Sequence, residues 1–348
     1  MFEYSHSNID KIAVHRVGNP SNGDELILSQ ALLDISDTRL EELLMRFFLA
    51  PFNTPEYYSF TFSNDDFKLN PLFHFAAQVF DEAIDFHAQS INIAKLLYDC
   101  SSHPHIKSGD LFVVYFSGIT FEGNFTDAIG IFKSENKQAF LKVQEQGRDF
   151  ALHYEDGINI DKLDKGCLIF NVERENGFKI CIVDKANKNH EALFWKEDFL
   201  HIKSCNDDYH RTKEFLNIAK NFVSQKMSDE YDVSKTDQID LLNRSVDYFK
   251  KNESFNKEEF EEEVFKDKNL IKSFQSFDEE YREKHELEAA DSFEISVQAV
   301  KKQARIFKSV LKLDKNFHVY IHGNRDLIEQ GTDESGRKFY KIYYNEES

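Results

Sequence analysis

The sequence has 348 residues, of which 41% are hydrophobic, and a formal net charge of −19. This length is enough for one large or two ordinary domains, so a core can form without disulfides. Only five prolines and thirteen glycines are present, which argues against long low-complexity segments. The strong negative charge excludes a uniformly basic surface for nucleic acid, so any such role requires a local basic patch or a protein partner.

The cysteines and the N-terminus indicate a cytoplasmic location. The first ten residues combine acidic residues and histidine, whereas a signal peptide has a basic flank followed by an apolar core. No run approaches 18 apolar residues, so we expect no membrane contact. The four cysteines form no CxxC pair, and we expect reduced thiols at Cys100, Cys167, Cys181 and Cys205.

The first 205 residues predict an α+β domain. Lys11–Arg16 predicts a strand, Ser36–Leu49 an amphipathic helix, and Pro71–Cys100 one long second helix. A series of apolar runs then predicts a sheet of five or more mostly antiparallel strands, packed against these helices. The runs are Leu111–Phe116, Asp127–Lys133, Ala139–Val143, Cys167–Val172 and Lys179–Val183.

Residues 206–348 predict a second, largely helical region that ends in strands. Helical periodicity covers 208–227 and 236–251, and residues 253–294 then hold fifteen acidic against six basic residues. From 295 to 341 the sign reverses, with ten basic and five acidic residues. Strand patterns return at Phe317–Ile321 and Lys338–Tyr344. The expected fold is therefore α+β, a mostly antiparallel sheet packed with helices, followed by a helical segment and a C-terminal β-hairpin.

Signatures of catalysis are sparse. No phosphate-binding loop, dinucleotide fingerprint or zinc-ligand spacing occurs, and the pair His103 and His105 has no acidic or cysteine partner at ligand spacing. We therefore expect no cofactor, no metal site and no enzymatic activity. The nearest alternative is a metal-dependent nuclease, in which Asp127 and Glu135 would hold a divalent ion and Lys137 would orient the attacking water.

A basic constellation near the C-terminus is the best candidate for a binding surface. Its residues share one face of a predicted helix, at separations that could follow a phosphate backbone. The alternative is that these lysines only balance the acidic segment before them. Arg325, Arg337 and Lys338 would extend the patch from an adjoining hairpin. The helical set is Lys301, Lys302, Arg305, Lys308 and Lys312.

The order of elements resembles the bacterial 37-kilodalton nucleoid-associated protein family. The resemblance rests on Ile12–His15, the strand pair from Leu111 to Lys133, the stretch Leu163–Val172 and the helix around Thr212–Phe222. Its most specific part is Leu313–Arg325 followed by Arg337–Tyr343. The resemblance implies association with the bacterial chromosome, with double-stranded DNA as the expected partner, and it supplies no functional residues.

Three hypotheses follow. The first is a nucleoid-associated protein that binds double-stranded DNA with weak sequence specificity through the eight basic residues named above. The second is an adaptor that docks onto a DNA-processing protein through the acidic segment 253–294. The third is the nuclease, which predicts Mg²⁺- or Mn²⁺-dependent cleavage that is lost on Glu135→Ala.

Overall fold

The computed structural model describes residues 2–53, 56–82, 84–184, 194–227, 231, 233–285, 287–304, 310–321 and 327–346. The chain divides into two compact units, Met1–Cys205 and Asn206–Ser348. The fold is α+β, as the sequence predicts. Within the described ranges, no helix has the length and apolar character needed to cross a membrane.

The first unit is built on an antiparallel sheet of eight strands. Its strands are β1 Phe2–Glu3, β2 Asn8–Val17, β3 Tyr58–Phe60, β4 Gly109–Phe121, β5 Asn124–Ser134, β8 Lys165–Phe170, β9 Lys179–Asp184 and β10 Ile202–Ser204. Their order in the sheet is β1-β4-β5-β8-β9-β3-β10, and β2 also pairs with β4. The predicted opening strand is β2, and the turn at Glu173–Gly177 joins β8 to β9.

Helices cover both faces of this sheet. On one face, Val113 and Ile131 pack with helices α2 (Pro71–Phe80) and α3 (Phe86–Cys100) and with Trp195 of the π-helical segment Phe194–Leu200. On the other face, alternate residues of the same strands pack against α1 (Thr38–Leu49). A strand buried on both faces has no polar side to alternate with, which explains the nearly unbroken apolar run from Leu111 to Phe116.

Two predictions for this unit are wrong in detail. The expected single helix Pro71–Cys100 is two helices, because Glu82 adopts a left-handed φ of 52° that interrupts the helix. Asp85 then caps the N-terminus of the second helix, α3. The Asp85 carboxylate accepts the backbone N–H groups of His87 and Ala88 at 3.1 and 3.3 Å. The predicted strand Ala139–Val143 lies outside the large sheet, in a separate two-stranded ribbon of β6 (Lys137–Gln146) and β7 (Asp149–Ile158).

The second unit packs short helices around a core rich in phenylalanine. The rings of Phe215, Phe249, Phe255, Phe260 and Phe274 contact one another there, mostly in tilted or edge-to-face pairs. The helices are α4 Asp208–Asn221, which continues as a π-helical turn at Phe222–Lys226, α5 Lys235–Lys251, α6 Lys257–Val264, α7 Lys268–His285 and α8 Val297–Ala304. A short pair of strands, β11 Ser254–Asn256 and β12 Ser292–Glu294, joins the ends of the acidic segment.

Two β-hairpins complete the second unit. Strands β13 (Val310–Leu313) and β14 (Phe317–Tyr320) form one, and β15 (Ile328–Thr332) and β16 (Lys338–Ile342) form the other. A small cluster of Ile239, Leu311, Ile321 and Ile328 holds both hairpins against α5. The expected strands 317–321 and 338–344 therefore each pair with a strand that the sequence pattern did not identify.

Candidate nucleic-acid interface

Helix α8 carries the first two predicted basic residues on its outer side. The helix buries Ala299, Val300 and Gln303 against the second unit's interior, so Lys301 and Lys302 are exposed. Its first turn is fixed by Ser296, whose hydroxyl accepts the N–H of Ala299 at 3.3 Å. The exposed position of both ammonium groups is thus a consequence of which side of α8 is apolar.

The predicted helical stripe does not extend to Lys312. Lys312 lies not on α8 but on β13, where Val310–Leu313 alternates between the packed and the exposed side. We attribute the strand conformation here to tertiary packing, since Leu311 packs into the cluster with Ile239 of α5. The two remaining members of the stripe, Arg305 and Lys308, lie outside the described residues.

The exposed side of the β13–β14 hairpin combines a cation with two rings. Lys312 faces His318 across the hairpin, and Val310 faces Tyr320 in the next pair on the same side. Lys312, His318 and Tyr320 are all exposed, and Tyr320 keeps 66% of its accessible surface. Cationic and aromatic side chains side by side are suited to phosphates and to base or sugar surfaces.

The β15–β16 hairpin carries Arg337 and Lys338 at its turn. The Asp333 carboxylate accepts hydrogen bonds from the hydroxyl and N–H of Ser335 and from the N–H and Nε of Arg337, at 2.6 to 2.9 Å. These bonds lower the pKa of Asp333, with the Ser335 hydroxyl making the largest contribution. The turn thus orients the Arg337 guanidinium while leaving its side chain 83% exposed. Arg325 lies outside the described residues.

Five of the eight predicted residues can therefore be placed. All five are exposed and lie in the second unit, on elements that pack on α5 or share a core with it. They are Lys301 and Lys302 of α8, Lys312 of β13, Arg337 just before β16, and Lys338 at its start.

The acidic segment neutralises its buried charge internally. Asp278 of α7 is 1% exposed, and its carboxylate is held by Lys257 and Arg282, each at 2.6 Å. Glu261 of α6 is also buried, and its Oε2 accepts a hydrogen bond from Gln275 at 2.6 Å. Burial raises the pKa of Glu261 because the charged carboxylate loses its hydration. The buried carboxylates of Asp278 and Glu261 thus both have partners within the acidic segment.

The residues of the nuclease hypothesis do not converge. Asp127 lies near the start of β5 and Glu135 follows its end, so about eight residues of extended strand, on the order of 26 Å, separate them. Each carboxylate is committed elsewhere, since Asp127 accepts a hydrogen bond from Tyr115 at 2.8 Å and Glu135 pairs with Lys133 at 3.0 Å. Lys137 pairs with Asp110 at 3.3 Å. Among the described residues, no three or more His, Cys, Asp or Glu side chains lie close enough together to hold a metal ion.

The resemblance suggested by the sequence is confirmed by comparison with protein families. A family model described as nucleoid-associated protein YejK matches residues 13–348, nearly the whole chain. The chain belongs to the YejK family of nucleoid-associated proteins. None of the curated proteins with which the sequence was compared matches it.

The family description identifies no binding residues. The charge pattern of the sequence indicates the cations of the hairpins, but it does not indicate Tyr320, which lies beside Lys312 and His318. The signal was present in the alternation of Phe317–Tyr320, which puts every second residue on one side. It could be used only once the partner strand, and thus the register, was known.

Proposed function

We propose that this YejK-family protein binds double-stranded DNA with weak sequence specificity and without catalysing a reaction, through the basic surface of its second unit. The observation that supports this proposal is the exposure of all five basic residues that can be placed. Phosphate contacts by lysine and arginine position a protein on the duplex without reading its sequence. Association with the nucleoid in the cytoplasm would then result from direct contact with the chromosome.

The acidity of the chain is compatible with this proposal because the charge is unevenly distributed. Segment 253–294 carries −9 and segment 295–341 carries +5. Close basic groups contact the phosphates, whereas acidic groups beyond about 10 Å are screened at physiological salt. The acidic helices would limit how the protein orients on DNA and would weaken non-specific adhesion.

The proposal is tested by titrating labelled duplex DNA with the full-length protein at several salt concentrations, with and without Mg²⁺. Binding through phosphates predicts that the logarithm of the association constant falls linearly with the logarithm of salt concentration. The slope gives the number of phosphates neutralised, with about 0.9 per contact. Intact DNA after incubation with Mg²⁺ or Mn²⁺ is expected, and cleavage would contradict the non-catalytic part.

A second candidate is the acidic adaptor, favoured by a groove in the second unit. Carboxylates from α6, α7 and the chain before β12 line this groove, namely Glu258, Glu261, Glu279 and Asp291. A basic surface of a DNA-processing protein would complement it. The adaptor predicts no DNA binding by the purified protein even at low salt, so the same titration separates the two candidates.

A further inference from the structure

The ribbon of β6 and β7, residues 137–158, is here named the arm. Among the described residues it pairs with no strand of the large sheet, and only its base reaches the interior, where Ile158 packs against buried residues. An isolated two-stranded hairpin is marginally stable in water, and a stable one needs a covered apolar face. The arm therefore raises the question of what packs against it.

The register of the arm collects its apolar side chains on one face. Leu141 pairs with Tyr154, Val143 pairs with Leu152, and Phe150 pairs with Glu145, the one acidic residue of these three pairs, on the same side. These five side chains are 63% to 74% exposed, far more than a sheet face of this composition shows inside a protein. The set is Leu141, Val143, Phe150, Leu152 and Tyr154, here named the apolar face of the arm.

The opposite face of the arm is mostly polar. Lys142 and Glu155 form an ion pair at 3.0 Å, and Gln144 and His153 are exposed beside them. The one large apolar residue on that side, Phe140, packs its ring over Gly157, where an added Cβ would come within 3.2 Å of the ring. The arm is thus amphipathic, and its apolar face has no cover among the described residues.

We propose that two copies of this protein form a dimer in which the apolar faces of their arms pack against each other. Two ribbons stacked about 10 Å apart would form a small sandwich with a closed apolar interior. A two-fold axis requires a self-complementary patch, and a flat strip of aliphatic and aromatic side chains meets this requirement.

The area of the apolar face fits such a dimer. Aromatic side chains bury about 150–250 Å² each, so two aromatic and three aliphatic side chains at this exposure offer on the order of 600 Å² per chain. Two copies would bury about 1,200 Å² before any flanking contacts are added, which reaches the lower end of the standard range for specific protein interfaces.

The charge of the arm also favours a second copy. The whole chain carries −19, so two copies repel each other over most of their surfaces. The arm carries a net charge of only −1, because it has three basic and four acidic residues, namely Lys137, Lys142 and Arg148 against Glu145, Asp149, Glu155 and Asp156. Two copies can therefore approach through their arms with little electrostatic penalty, whereas a basic partner would gain little there.

The oligomeric state of the full-length protein tests the proposal. Sedimentation equilibrium between about 1 and 100 µM should give a mass near twice the 40.8 kDa of the chain. The arm-face variant Leu141→Thr/Val143→Thr/Leu152→Thr keeps residues that favour strands and removes apolar area. It should raise the dissociation constant by at least about 100-fold, because six buried aliphatic side chains are lost per dimer.

The matched control places the same substitution on the water-facing side, as Gln144→Thr/Gln146→Thr/His153→Thr, and should leave the dimer intact. Fluorescence of the single tryptophan, Trp195, reports whether the first unit of each variant is folded. A second disruptive variant, Tyr154→Arg, would bury an unpaired charge in the interface and should also give a monomer.

Three outcomes would overturn the proposal. The first is a wild-type protein that stays monomeric at about 100 µM, which would assign the apolar face to a different partner. The second is a folded arm-face variant that dimerises as tightly as the wild type. The third is equal loss of the dimer in the arm-face variant and in the control, since dimerisation would then not depend specifically on the apolar face.

Discussion

The ammonium group of Lys133 lies 3.0 Å from the carboxylate of Glu135 and is entirely shielded from solvent. The same nitrogen donates to the carbonyl of Lys107 at 2.6 Å, and Glu135 is only 9% exposed. Loss of hydration lowers the pKa of Lys133, while Glu135 opposes this shift. The pair therefore holds the end of β5 to the chain that precedes β4, and Glu135 has a structural partner in place of the metal ion that the nuclease hypothesis required.

Removing either member of this pair should destabilise the first unit. Lys133→Met leaves the Glu135 carboxylate buried and unpaired, which we expect to lower the free energy of unfolding by about 3–5 kcal/mol. The double variant Lys133→Met/Glu135→Gln should recover much of this loss, because no charge is left buried. Urea unfolding followed by Trp195 fluorescence measures both. A double variant as unstable as the single one would contradict the assignment.

His15 should make the stability of the first unit depend on pH. The ring is 2% exposed, its Nε2 lies 3.0 Å from the Ser90 hydroxyl, and its Nδ1 accepts the N–H of Ser29 at 3.1 Å. Burial, with a smaller contribution from the neighbouring His87, lowers the pKa of His15 to about 4. The folded protein therefore favours the neutral form of the His15 ring.

The sign of the effect follows from the lowered pKa. Between about pH 6.5 and pH 4 the unfolded chain binds a proton that folded His15 does not, so acid favours unfolding. The contribution of His15 is fully present above about pH 6.5 and falls by about 3 kcal/mol as pH approaches 4. His15→Gln cannot titrate, so its unfolding free energy, followed by Trp195 fluorescence, should depend less steeply on pH in this window. Identical slopes in the variant and the wild type would contradict the assignment.

Asn70 should be intolerant of even its closest substitute. Its carbonyl oxygen caps α2 by accepting the N–H groups of Leu72 and Phe73 at 2.8 and 3.3 Å. Its buried amide nitrogen donates to three backbone carbonyls, those of Thr61, Leu200 and His201. Asn70→Asp keeps the cap but removes the donor and sets a carboxylate against carbonyl oxygens.

We expect Asn70→Asp to lower the free energy of unfolding by about 3 kcal/mol near neutral pH, although aspartate is as good a helix cap as asparagine. Urea unfolding followed by Trp195 fluorescence measures the loss. The control is Asp37→Asn at the exposed N-cap of α1, where only the cap matters and the change should be within about 0.5 kcal/mol. Equal effects at the two caps would show that the three carbonyl contacts contribute nothing.

The fold was predictable where burial and sequence period agree. The apolar run Leu111–Phe116 predicted a buried strand, and the helical periodicity of 236–251 matches α5 closely. Prediction failed at short segments whose structure depends on distant contacts. Leu311 belongs to a strand because it packs on Ile239, and no local pattern records that contact.

The candidate binding surfaces could be predicted from the sequence only in part. The basic residues could be found from charge alone, but the helical pattern wrongly assigned Lys312 of β13 to the same helix as Lys301 and Lys302. In the arm, the apolar run Ala139–Val143 correctly predicted a strand but wrongly assigned it to the large sheet. A period of two says which side is apolar, and it does not say whether the same chain covers that side.

The basic surface makes a quantitative prediction for DNA binding. Reversing the charge of three exposed lysines, as Lys301→Glu/Lys302→Glu/Lys312→Glu, should remove up to three phosphate contacts and lower the salt slope by about 2–3. Affinity for duplex DNA should fall at least about 100-fold at low salt, while the thermal unfolding transition stays within a few degrees of the wild type.

The matched control for this prediction reverses three exposed lysines of the acidic helix α7, as Lys268→Glu/Lys272→Glu/Lys284→Glu. Both variants change the net charge by the same amount, so a difference between them measures position and not overall charge. We expect the control to retain the wild-type salt slope, because α7 lies among carboxylates that would repel a phosphate backbone. Equal loss of affinity in the two variants would mean that DNA senses only the total charge of the chain, and the surface of α8 and the hairpins would then lose its special role.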